Sequence, residues 1–299
     1  MDWEPLLVFL KCYFAFGKSK KERGKIMHYG EELKKVQKIE LEILADVIRV
    51  CDENNIEFFV ASGTALGAVR HGGFIPWDDD IDIGMTRDNY ERFLTIAPSK
   101  LKKGLFLQHY TTEPDSPTYF AKVRRDNTRF VEYYTRNIKM HHGVYIDIFP
   151  YDQVPDDHKL RKRLFRKAFF IHQLFIAKSV TGTSTPQRSL RGLLGKGLRL
   201  ILHYILKPIP KKWLFHMLDK EVKKYNNYPL ASSLSYIVDS PRVIIERKVL
   251  FPLKPTKFES LTVKIPNLSE EYLTHHYGDY LQLPPMEERV GHRPFILEL

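Results

Sequence analysis

The segment WDDDIDI, residues 77–83, restricts the fold of this chain more than any other feature of the sequence. On an extended strand, residues two apart share a face. Asp78, Asp80 and Asp82 would then line one side, about 6–7 Å apart, while the isoleucines between and after them enter the core. Carboxylates this close repel one another unless a cation joins them, and Mg2+ prefers such oxygen ligands. A solvated acidic turn is the alternative, but it would not require the alternating isoleucines. The segment therefore predicts a metal site on a strand.

Helices and strands alternate around this acidic segment. Apolar residues at helical spacing and capping residues predict helices over 31–53, 65–70 and 86–97. Runs rich in β-branched and aromatic residues predict strands at 56–61, 81–85, 105–109, 119–124 and 144–149. Weaker patterns predict strands at 234–238, 243–247 and 261–265 and a helix at 270–280. The alternation up to Pro150 indicates an α+β or α/β catalytic core.

A turn and a lone aspartate add to the acidic segment. Ser62-Gly63-Thr64 precedes it by about one supersecondary unit. A strand followed by Gly-Thr at a helix start offers backbone N–H groups and a hydroxyl to a phosphate, although an ordinary turn glycine is the alternative. Asp147 lies within the apolar strand 144–149, where an uncompensated carboxylate is costly to bury. A metal-binding or general-base role would explain it, as would a buried hydrogen bond to the backbone.

Basic residues near these motifs are candidates for binding phosphate. Lys122 and Arg124 are two apart on a predicted strand, so both can face one site. There they would neutralise phosphate oxygens, as phosphoryl transfer requires; a solvent-facing strand explains the same alternation. Arg289, His292 and Arg293 form a second basic cluster near the end of the chain. This cluster reaches the site only if the tail folds back over it.

The net charge of +11 is concentrated in one region of the chain. Residues 159–224 contain 17 Lys and Arg against 2 acidic residues, so this region carries +15 and the rest of the chain −4. The apolar stretch 193–206, followed by lysines and Trp213, suits a helix lying on an anionic membrane surface. An ordinary amphipathic subdomain with a solvated basic face is the alternative. The sequence contains no known nucleic-acid motif, and no nucleic acid is expected as a partner.

Other sequence features predict a cytoplasmic protein. No apolar run reaches the roughly 20 residues that span a bilayer, and the N-terminus lacks a signal-peptide pattern. Cys12 and Cys51 are the only cysteines; they lack the spacing of a zinc cluster and suit a reducing compartment. Residues 6–16 are apolar and precede a basic run, which fits an interfacial anchor or a core helix. The protein would be peripheral at the inner membrane surface if its basic helices dock there.

Taken together, the motifs resemble one protein family. The run SGTALGAVRHGGFIPWDDDIDIGM, residues 62–85, closely resembles the signature of the LicD family. Further matches follow in order: Lys122-Val123-Arg124 with Thr128, GVYIDIFP at 143–150, YGDY at 277–280, and LPP at 283–285 with Arg289 and His292. The resemblance spans about residues 31–150 and 270–293. The basic region and the first 30 residues carry no such match.

The resemblance implies a fold, a site and a substrate class. The fold would be nucleotidyltransferase-like α+β with a mixed sheet and an added basic helical region. LicD-like proteins are phosphocholine transferases that use CDP-choline and modify bacterial surface glycans, and fukutin-like relatives use CDP-ribitol. The implied catalytic acids are Asp80, Asp82 and Asp147. The implied ligands of Mg2+, or alternatively Mn2+, are Asp78, Asp80, Asp82 and Asp147. The implied donor-binding residues are Ser62, Gly63, Thr64, Arg70, Lys122, Arg124, Arg289 and His292.

These observations divide the chain into four segments. An N-terminal basic and apolar segment covers 1–30 and a catalytic core 31–158. A basic helical insertion covers 159–230, and a C-terminal segment over 231–299 would complete the active site.

Four functions compete for this sequence. The first is metal-dependent transfer of phosphocholine, or a similar substituted phosphate, from a CDP-alcohol donor to a hydroxyl of a cell-surface glycan. The acceptor would be a teichoic acid, capsule or lipopolysaccharide precursor, in some pathways built on a lipid carrier. A nucleotidyltransferase passing NMP from an NTP would use the same acids. A glycosyltransferase with an Asp-x-Asp motif leaves Asp147 unexplained, and a non-enzymatic binder using the basic region leaves the acidic segment unexplained.

Overall fold

The computed structural model describes residues 29–180, 190–238 and 244–299. The N-terminal segment predicted over 1–30 lies almost wholly outside the described residues. The helices within these ranges are α1 Tyr29–Glu53, α2 Ser62–Arg70, α3 Arg87–Lys100, α4 His158–Ser179, α5 Leu190–Leu206, α6 Lys211–Val222, α7 Arg247–Leu250 and α8 Ser269–Tyr277. The strands are β1 Phe59–Val60, β2 Asp82–Thr86, β3 Leu105–Gln108, β4 Ala121–Arg125, β5 Arg129–Val131, β6 Tyr145–Val154, β7 Ser233–Ser235, β8 Ile245–Glu246, β9 Lys254–Phe258, β10 Leu261–Ile265 and β11 Ile296–Glu298.

One mixed sheet organises the described part of the chain. Its strands run in the order β1-β2-β6-β4-β3, and β7 pairs with the second half of β6 and with β8. β2 and β6 are parallel, while the neighbouring pairs are antiparallel. Two small antiparallel pairs, β9–β10 and β5–β11, lie outside this sheet. Helices combined with a mixed sheet confirm the predicted α+β fold class.

The apolar residues flanking the aspartates enter the core, as the sequence predicts. Ile81 and Ile83 are fully buried, and Ile43, Leu44 and Val47 of α1 belong to the same core cluster. Removing such side chains from water is the main favourable term in folding. Because neighbouring residues of a strand point to opposite faces, a slip of one residue would expose this set. Core packing therefore fixes which side chains of β2 point away from the core.

Two local predictions at the acidic segment are wrong. Residues 62–64 form the first turn of α2 rather than a turn before it. β2 begins only at Asp82, so Asp78 and Asp80 lie in the loop before the strand and do not share a strand face with it. The reason is a tight turn, in which the amide of Asp78 donates to the carbonyl of Ile75 at 2.9 Å. The three carboxylates are therefore brought together by a loop, and only the last is placed by the sheet.

Other elements differ from the sequence predictions mainly at their ends. β8 is confined to Ile245–Glu246, and α7 takes up the end of the strand predicted at 243–247, whose first residue lies outside the described ranges. α8 ends at Tyr277, earlier than predicted, because Gly278 takes a positive φ of 69°, a conformation that favours glycine and ends helices.

The predicted basic helical region is confirmed as α4, α5 and α6. The side chain of Asp157 caps α4 by accepting from the amide of Leu160 at 2.8 Å, which satisfies one of the free N–H groups at a helix start. The ammonium of Lys178 donates to the carbonyls of Leu206 and Lys207 and so joins α4 to the end of α5. In the described ranges, no helix combines the length and apolar character needed to cross a bilayer.

The strand register sets three charged residues in one row. In the parallel β2–β6 pair, Asp82 lies opposite Asp147. In the antiparallel β4–β6 pair, Lys122 lies opposite the same Asp147. Residues directly opposite on neighbouring strands, about 4.5–5.5 Å apart, extend their side chains to the same face. The sheet therefore brings two acids and one base from three separate segments of sequence onto one surface.

A buried ion pair joins β2 to β6 at the other end of this strand pair. Arg87, which follows β2 at the start of α3, donates from Nε to Oδ1 of Asp152 at 2.8 Å. Both side chains are almost fully enclosed, and Asp152 also accepts from the amide of Asn226 at 2.7 Å. Such a pair leaves an uncompensated buried charge when one partner is removed.

Arg87→Ala should therefore lower the free energy of unfolding by about 3–5 kcal/mol, because Asp152 would stay buried without its main partner. Urea denaturation of the purified protein measures this loss. Arg163→Ala, which removes the same group from an exposed position on α4, should change stability by less than about 0.5 kcal/mol. Equal effects of the two substitutions would contradict the assignment of the buried pair.

Candidate active site

Residues at the start of α2 contact the acidic loop, β2 and α8. The hydroxyl of Thr64 accepts a hydrogen bond from the amide of Asp82 at 2.8 Å, which ties the first strand residue of β2 to the helix. Gly63 lies so close to Asp78 that an added Cβ would be 2.9 Å from its Oδ2. The amide of Ser62, a residue with a positive φ of 46°, donates to the hydroxyl of Tyr272 at 3.0 Å. Gly63 and Thr64 thus contact the aspartates and Ser62 contacts α8, while the role of all three in binding phosphate stays a prediction.

Lys122 lies at one end of the charged row, beside Asp147 in its centre. Its Nζ lies 2.8 Å from Oδ1 of Asp147 and 3.4 Å from the centre of the Tyr145 ring. The side chain of Lys122 is 3% exposed and that of Asp147 12%. A buried charge needs a partner of opposite sign, and this pair supplies one. Lys122 therefore compensates one acid of the site, whereas Asp82 on the next strand has no lysine opposite it.

Burial, and then repulsion by neighbouring acids, raises the pKa values of the aspartates. Burial and then Asp147 raise the pKa of Asp82 to about 8. Burial followed by Asp82 and Asp78 raises the pKa of Asp80 well above its ordinary value. Burial and Asp79 raise the pKa of Asp78 to about 6. Burial raises that of Asp147 as well, and Lys122 opposes the shift. A divalent cation would relieve this repulsion, and carboxylate oxygens are the ligands that Mg2+ prefers, so the donor set fits the predicted ion.

The tail of the chain folds back over the acidic loop through Asp79. Oδ1 of Asp79 accepts from the backbone amide of His292 at 2.8 Å and from its Nδ1 at 3.1 Å, and Oδ2 accepts from the amide of Arg293 at 3.2 Å. Gly291 permits the approach, since an added Cβ would lie 2.8 Å from Oδ1 of Asp79 and 2.9 Å from the carbonyl of Trp77. A residue between the predicted metal ligands thus anchors the tail.

His292 brings positive charge to the loop. Its hydrogen bond to Asp79, with further attraction from Asp80, raises the pKa of the imidazole to about 10. Its Nδ1 also lies 3.5 Å from Oδ2 of Asp80. Within the described residues, Asp78, Asp79 and His292 form a group whose ligand atoms all lie within 4.8 Å of one another. The contact between Nδ1 of His292 and Oδ1 of Asp79 at 3.1 Å joins the tail to this group.

Two of the predicted donor-binding arginines, Arg124 and Arg70, donate hydrogen bonds to groups other than the acids of the site. Arg124 is fully buried; it donates from Nε to Gln108 at 2.6 Å and from a terminal nitrogen to the carbonyl of Gly143 at 2.7 Å. Arg70 donates to the carbonyl of Tyr280 at 2.6 Å. These contacts connect the sheet and α2 to neighbouring loops, and a phosphate-binding role of either arginine stays a prediction.

Arg289 contacts the aromatic ring of Trp77, the first residue of the acidic segment. Its guanidinium lies 5.2 Å from the ring centre of Trp77, and its Nε donates to the carbonyl of Pro284 at 2.9 Å. The tail therefore contributes both Arg289 and His292 to the neighbourhood of the aspartates. Donor binding by these two residues of the tail stays a prediction.

Sequence reasoning missed several residues at the site. No sequence pattern singled out Asp79, because on an alternating strand its side chain would point away from those of Asp78 and Asp80. Gln37 of α1 donates to the carbonyl of Asp78 at 2.9 Å, and Glu40, one turn further on, is 1% exposed. The signal for Glu40 was present in the sequence: it lies four residues after Val36 and four before Leu44, and so at helical spacing on the same apolar face of α1.

Fold and site together define a nucleotidyltransferase-type domain with a cluster of acids. Residues 55–176 match the family model described as LicD/FKTN/FKRP, nucleotidyltransferase domain. The predicted resemblance to the LicD family is confirmed over this domain, and so is the prediction of a LicD-like phosphotransferase. The matched residues include Asp80, Asp82 and Asp147, but not α1.

Three relatives illustrate the range of similarity. The lipopolysaccharide cholinephosphotransferase LicD of Haemophilus influenzae is 29% identical over 273 residues, which cover 87% of this chain and 95% of that protein. An uncharacterized protein of Rickettsia typhi is 40% identical over 68 residues, or 23% of this chain and 22% of that one. The human ribitol 5-phosphate transferase FKRP is 41% identical over 39 residues, or 13% of this chain and 8% of that one.

The raised pKa values predict how stability depends on pH and on Mg2+. Unfolded aspartate has a pKa of about 3.9, below the folded values of about 6 for Asp78 and about 8 for Asp82. The folded protein then binds more protons, so its unfolding free energy falls as pH rises from about 4 to about 8. Because a cation needs deprotonated ligands, the stabilisation by Mg2+ should grow over the same range.

Thermal melts in EDTA and in excess Mg2+ at several pH values test this. Asp82→Asn should flatten both profiles, whereas Asp88→Asn, at an exposed position of α3, should leave them unchanged. A Mg2+ effect that does not vary with pH would contradict the prediction.

Proposed function

We propose that this protein transfers phosphocholine, or a similar substituted phosphate, from a CDP-alcohol donor such as CDP-choline to a hydroxyl of a bacterial cell-surface glycan, with release of CMP. The observation that carries the proposal is the row formed by Asp82, Asp147 and Lys122 on three adjacent strands beside the acidic loop. It combines acids for a cation with a base for phosphate oxygens in a LicD-family domain. The relative from Haemophilus influenzae is named as a cholinephosphotransferase acting on lipopolysaccharide.

The residues of the acidic loop and of the row would have complementary tasks in this reaction. Asp80 and Asp82, with Asp78 beside them, would hold Mg2+, or Mn2+ in its place, and the ion would supply charge neutralisation to the donor diphosphate. Lys122 would offset negative charge on the transferred phosphate. Both tasks require that the donor's phosphates lie over the face shared by β2, β6 and β4.

Asp147 would handle the proton in the proposed reaction. The acceptor hydroxyl forms a new P–O bond to the phosphorus that carries choline, while the bond from that phosphorus to the CMP oxygen breaks. The hydroxyl proton passes to Asp147, or Asp147 completes the cation's ligand set and water takes the proton. Arg70, Arg124, Arg289 and His292 surround the acids and would help to bind the donor.

A second function differs only in the group that is passed on. A nucleotidyltransferase would use the same acids to transfer NMP from an NTP and would release pyrophosphate. CDP-ribitol or CDP-glycerol could also replace CDP-choline, and the relative named as a ribitol 5-phosphate transferase favours testing the first of these. A calorimetric screen with Mg2+ of CDP-choline, CDP-ribitol, CDP-glycerol and UDP-sugars compares the donors directly.

Substitution of the acids tests the proposed reaction. Asp80→Asn and Asp82→Asn should each reduce CMP release from CDP-choline by at least about 100-fold, since even partners of metal ligands are worth 10–100-fold. Chromatography of the nucleotide products, with lipopolysaccharide and with teichoic acid as acceptors, measures the loss.

Asp88→Asn, at an exposed position outside the site, is the matched control and should retain activity. Full turnover in a protein that carries both Asp80→Ala and Asp82→Ala would refute the assignment. Pyrophosphate release from CTP, without CMP release from CDP-choline, would favour the second function.

An apolar stripe on α5 supports docking to a membrane, where a lipid-linked acceptor would be found. Four residues on one face of this helix expose large parts of their side chains: Leu200, Ile201, Tyr204 and Ile205. The opposite face packs on α4, where Nδ1 of His203 lies 3.0 Å from the carbonyl of Ala177 and Leu206 is buried. The apolar stripe therefore lies on the face of α5 that does not pack on α4, where the described part of the chain leaves it exposed.

The charged residues around the apolar stripe indicate which kind of membrane surface would bind it. Exposed Lys207 and Lys212 follow α5, and Trp213 on α6 is 54% exposed. Lysines and an interfacial tryptophan beside an apolar helix face suit an anionic lipid surface. The +15 charge of the region that contains the apolar stripe favours the same partner.

Vesicle flotation tests this docking. The protein should float with phosphatidylglycerol-containing vesicles at low salt and much less with pure phosphatidylcholine. Ile205→Glu should reduce binding roughly tenfold or more, because one buried aliphatic side chain is worth about 1.5–3 kcal/mol. Leu230→Glu is the control, since Leu230 is equally exposed (64% against 63% for Ile205) but lies outside the basic helices.

The absence of flotation at low salt would refute docking. A concentration-dependent dimer that Ile205→Glu abolishes would instead assign the apolar stripe to contact between two copies of the chain.

A further inference from the structure

Glu40 is a buried carboxylate with no assigned task. It lies in the middle of α1, is 1% exposed, and its Oε2 has no hydrogen-bond partner among the residues that the structure describes. Glu42, two residues further along the same helix, is exposed and pairs with Arg125. An acid at a core position costs stability unless a partner compensates it, so the position of Glu40 needs an explanation other than packing.

The helix α1 brings Glu40 to the acidic loop. Gln37, one turn earlier on the same face, donates to the carbonyl of Asp78 at 2.9 Å. Burial raises the pKa of Glu40 well above its ordinary value, and the charges that raise it further are, in order, those of Asp80, Asp79, Asp78 and Asp147. The carboxyl thus lies within the electric field of the aspartates on the loop and on β6.

These contacts distinguish Glu40 from the other buried acids of the molecule. Among the described residues, each of these acids has a partner: Asp46 is bound to Arg49, Asp147 to Lys122, Asp152 to Arg87, Glu221 to Lys167, and Asp79 to the tail. The strongest charges on Glu40 are acidic, and its Oε2 is enclosed without a donor. A cation shared with the aspartates would satisfy this oxygen and offset the repulsion at once.

We propose that Glu40 is a further carboxylate of the cation site, which acts on the divalent ion directly or through one of the ion's water ligands. The inference rests on the cation site of the proposed function, but not on which group is transferred. α1 then does more than cover the sheet: it supplies a residue of the site from outside the matched domain of residues 55–176.

Binding of Mn2+ to the full-length protein, followed by electron paramagnetic resonance, tests the proposal without any substrate. Glu40→Gln should weaken Mn2+ binding by at least about tenfold, the loss typical of partners around a metal site. Glu42→Gln, the same change on the exposed part of the helix, should stay within about twofold of the wild-type protein. Glu40→Asp keeps the charge but withdraws the oxygens by one methylene, and it should weaken binding as well.

Stability supplies a second measurement. Without metal, Glu40→Gln should melt no lower than the wild-type protein, because the amide removes a charge from an acidic neighbourhood. With Mn2+, its rise in melting temperature should be smaller than that of the wild-type protein. A purely structural carboxyl would give the opposite pattern, with lower stability and unchanged Mn2+ affinity.

The outcomes separate this proposal from the function on which it rests. Wild-type Mn2+ affinity in a folded Glu40→Gln protein would overturn the role of Glu40 and leave the aspartates' role intact. If Glu40→Gln does not fold, unchanged affinity in Glu40→Asp has the same meaning. Failure of the wild-type protein to bind Mn2+ would overturn both the cation site and this proposal.

Discussion

The parallel pairing of β2 with β6 is the constraint on which the site depends. It sets Asp82 opposite Asp147, and the antiparallel neighbour β4 adds Lys122 to the same row. Parallel strands cannot be joined by a tight turn and need a long crossover. Here more than 50 residues lie between the two strands, which is why the acids of one row are so far apart in sequence. The buried Arg87–Asp152 pair holds the same two strands together at their other end.

Electrostatic balance determines what surrounds the row. Five aspartates and Glu40 lie close together, and among the described residues the bases in direct contact with them are Lys122 on Asp147 and His292 on Asp79. The tail therefore contributes to the charge balance as well as to the enclosure of the site. Burial and mutual repulsion leave several acids with raised pKa values, and a divalent cation is the partner whose charge matches that excess.

The sequence predicted the elements better than their contacts. The alternation of helices and strands gave the α+β class, and the apolar residues of β2 and β6 were placed correctly in the core. β5, β9 and β11 escaped prediction, since short strands such as Arg129–Val131 have no periodicity to detect and depend on distant partners such as β11 for pairing. The strand face proposed for Asp78 and Asp80 was wrong because a turn after Ile75, stabilised by a backbone hydrogen bond, replaces the start of the strand.

Sequence alone determined the chemistry available to this protein: the acidic segment, Asp147, Lys122 and the basic region were all visible as residue types in informative patterns. It could not determine which of them meet. The contact of Asp79 with His292 joins residues 213 positions apart, and the approach of Glu40 to the acids depends on how α1 packs on the sheet. Local patterns record the preferences of neighbours along the chain, whereas these contacts arise from core packing and strand register. Only the tertiary structure therefore decided which acids face one another and which bases compensate them.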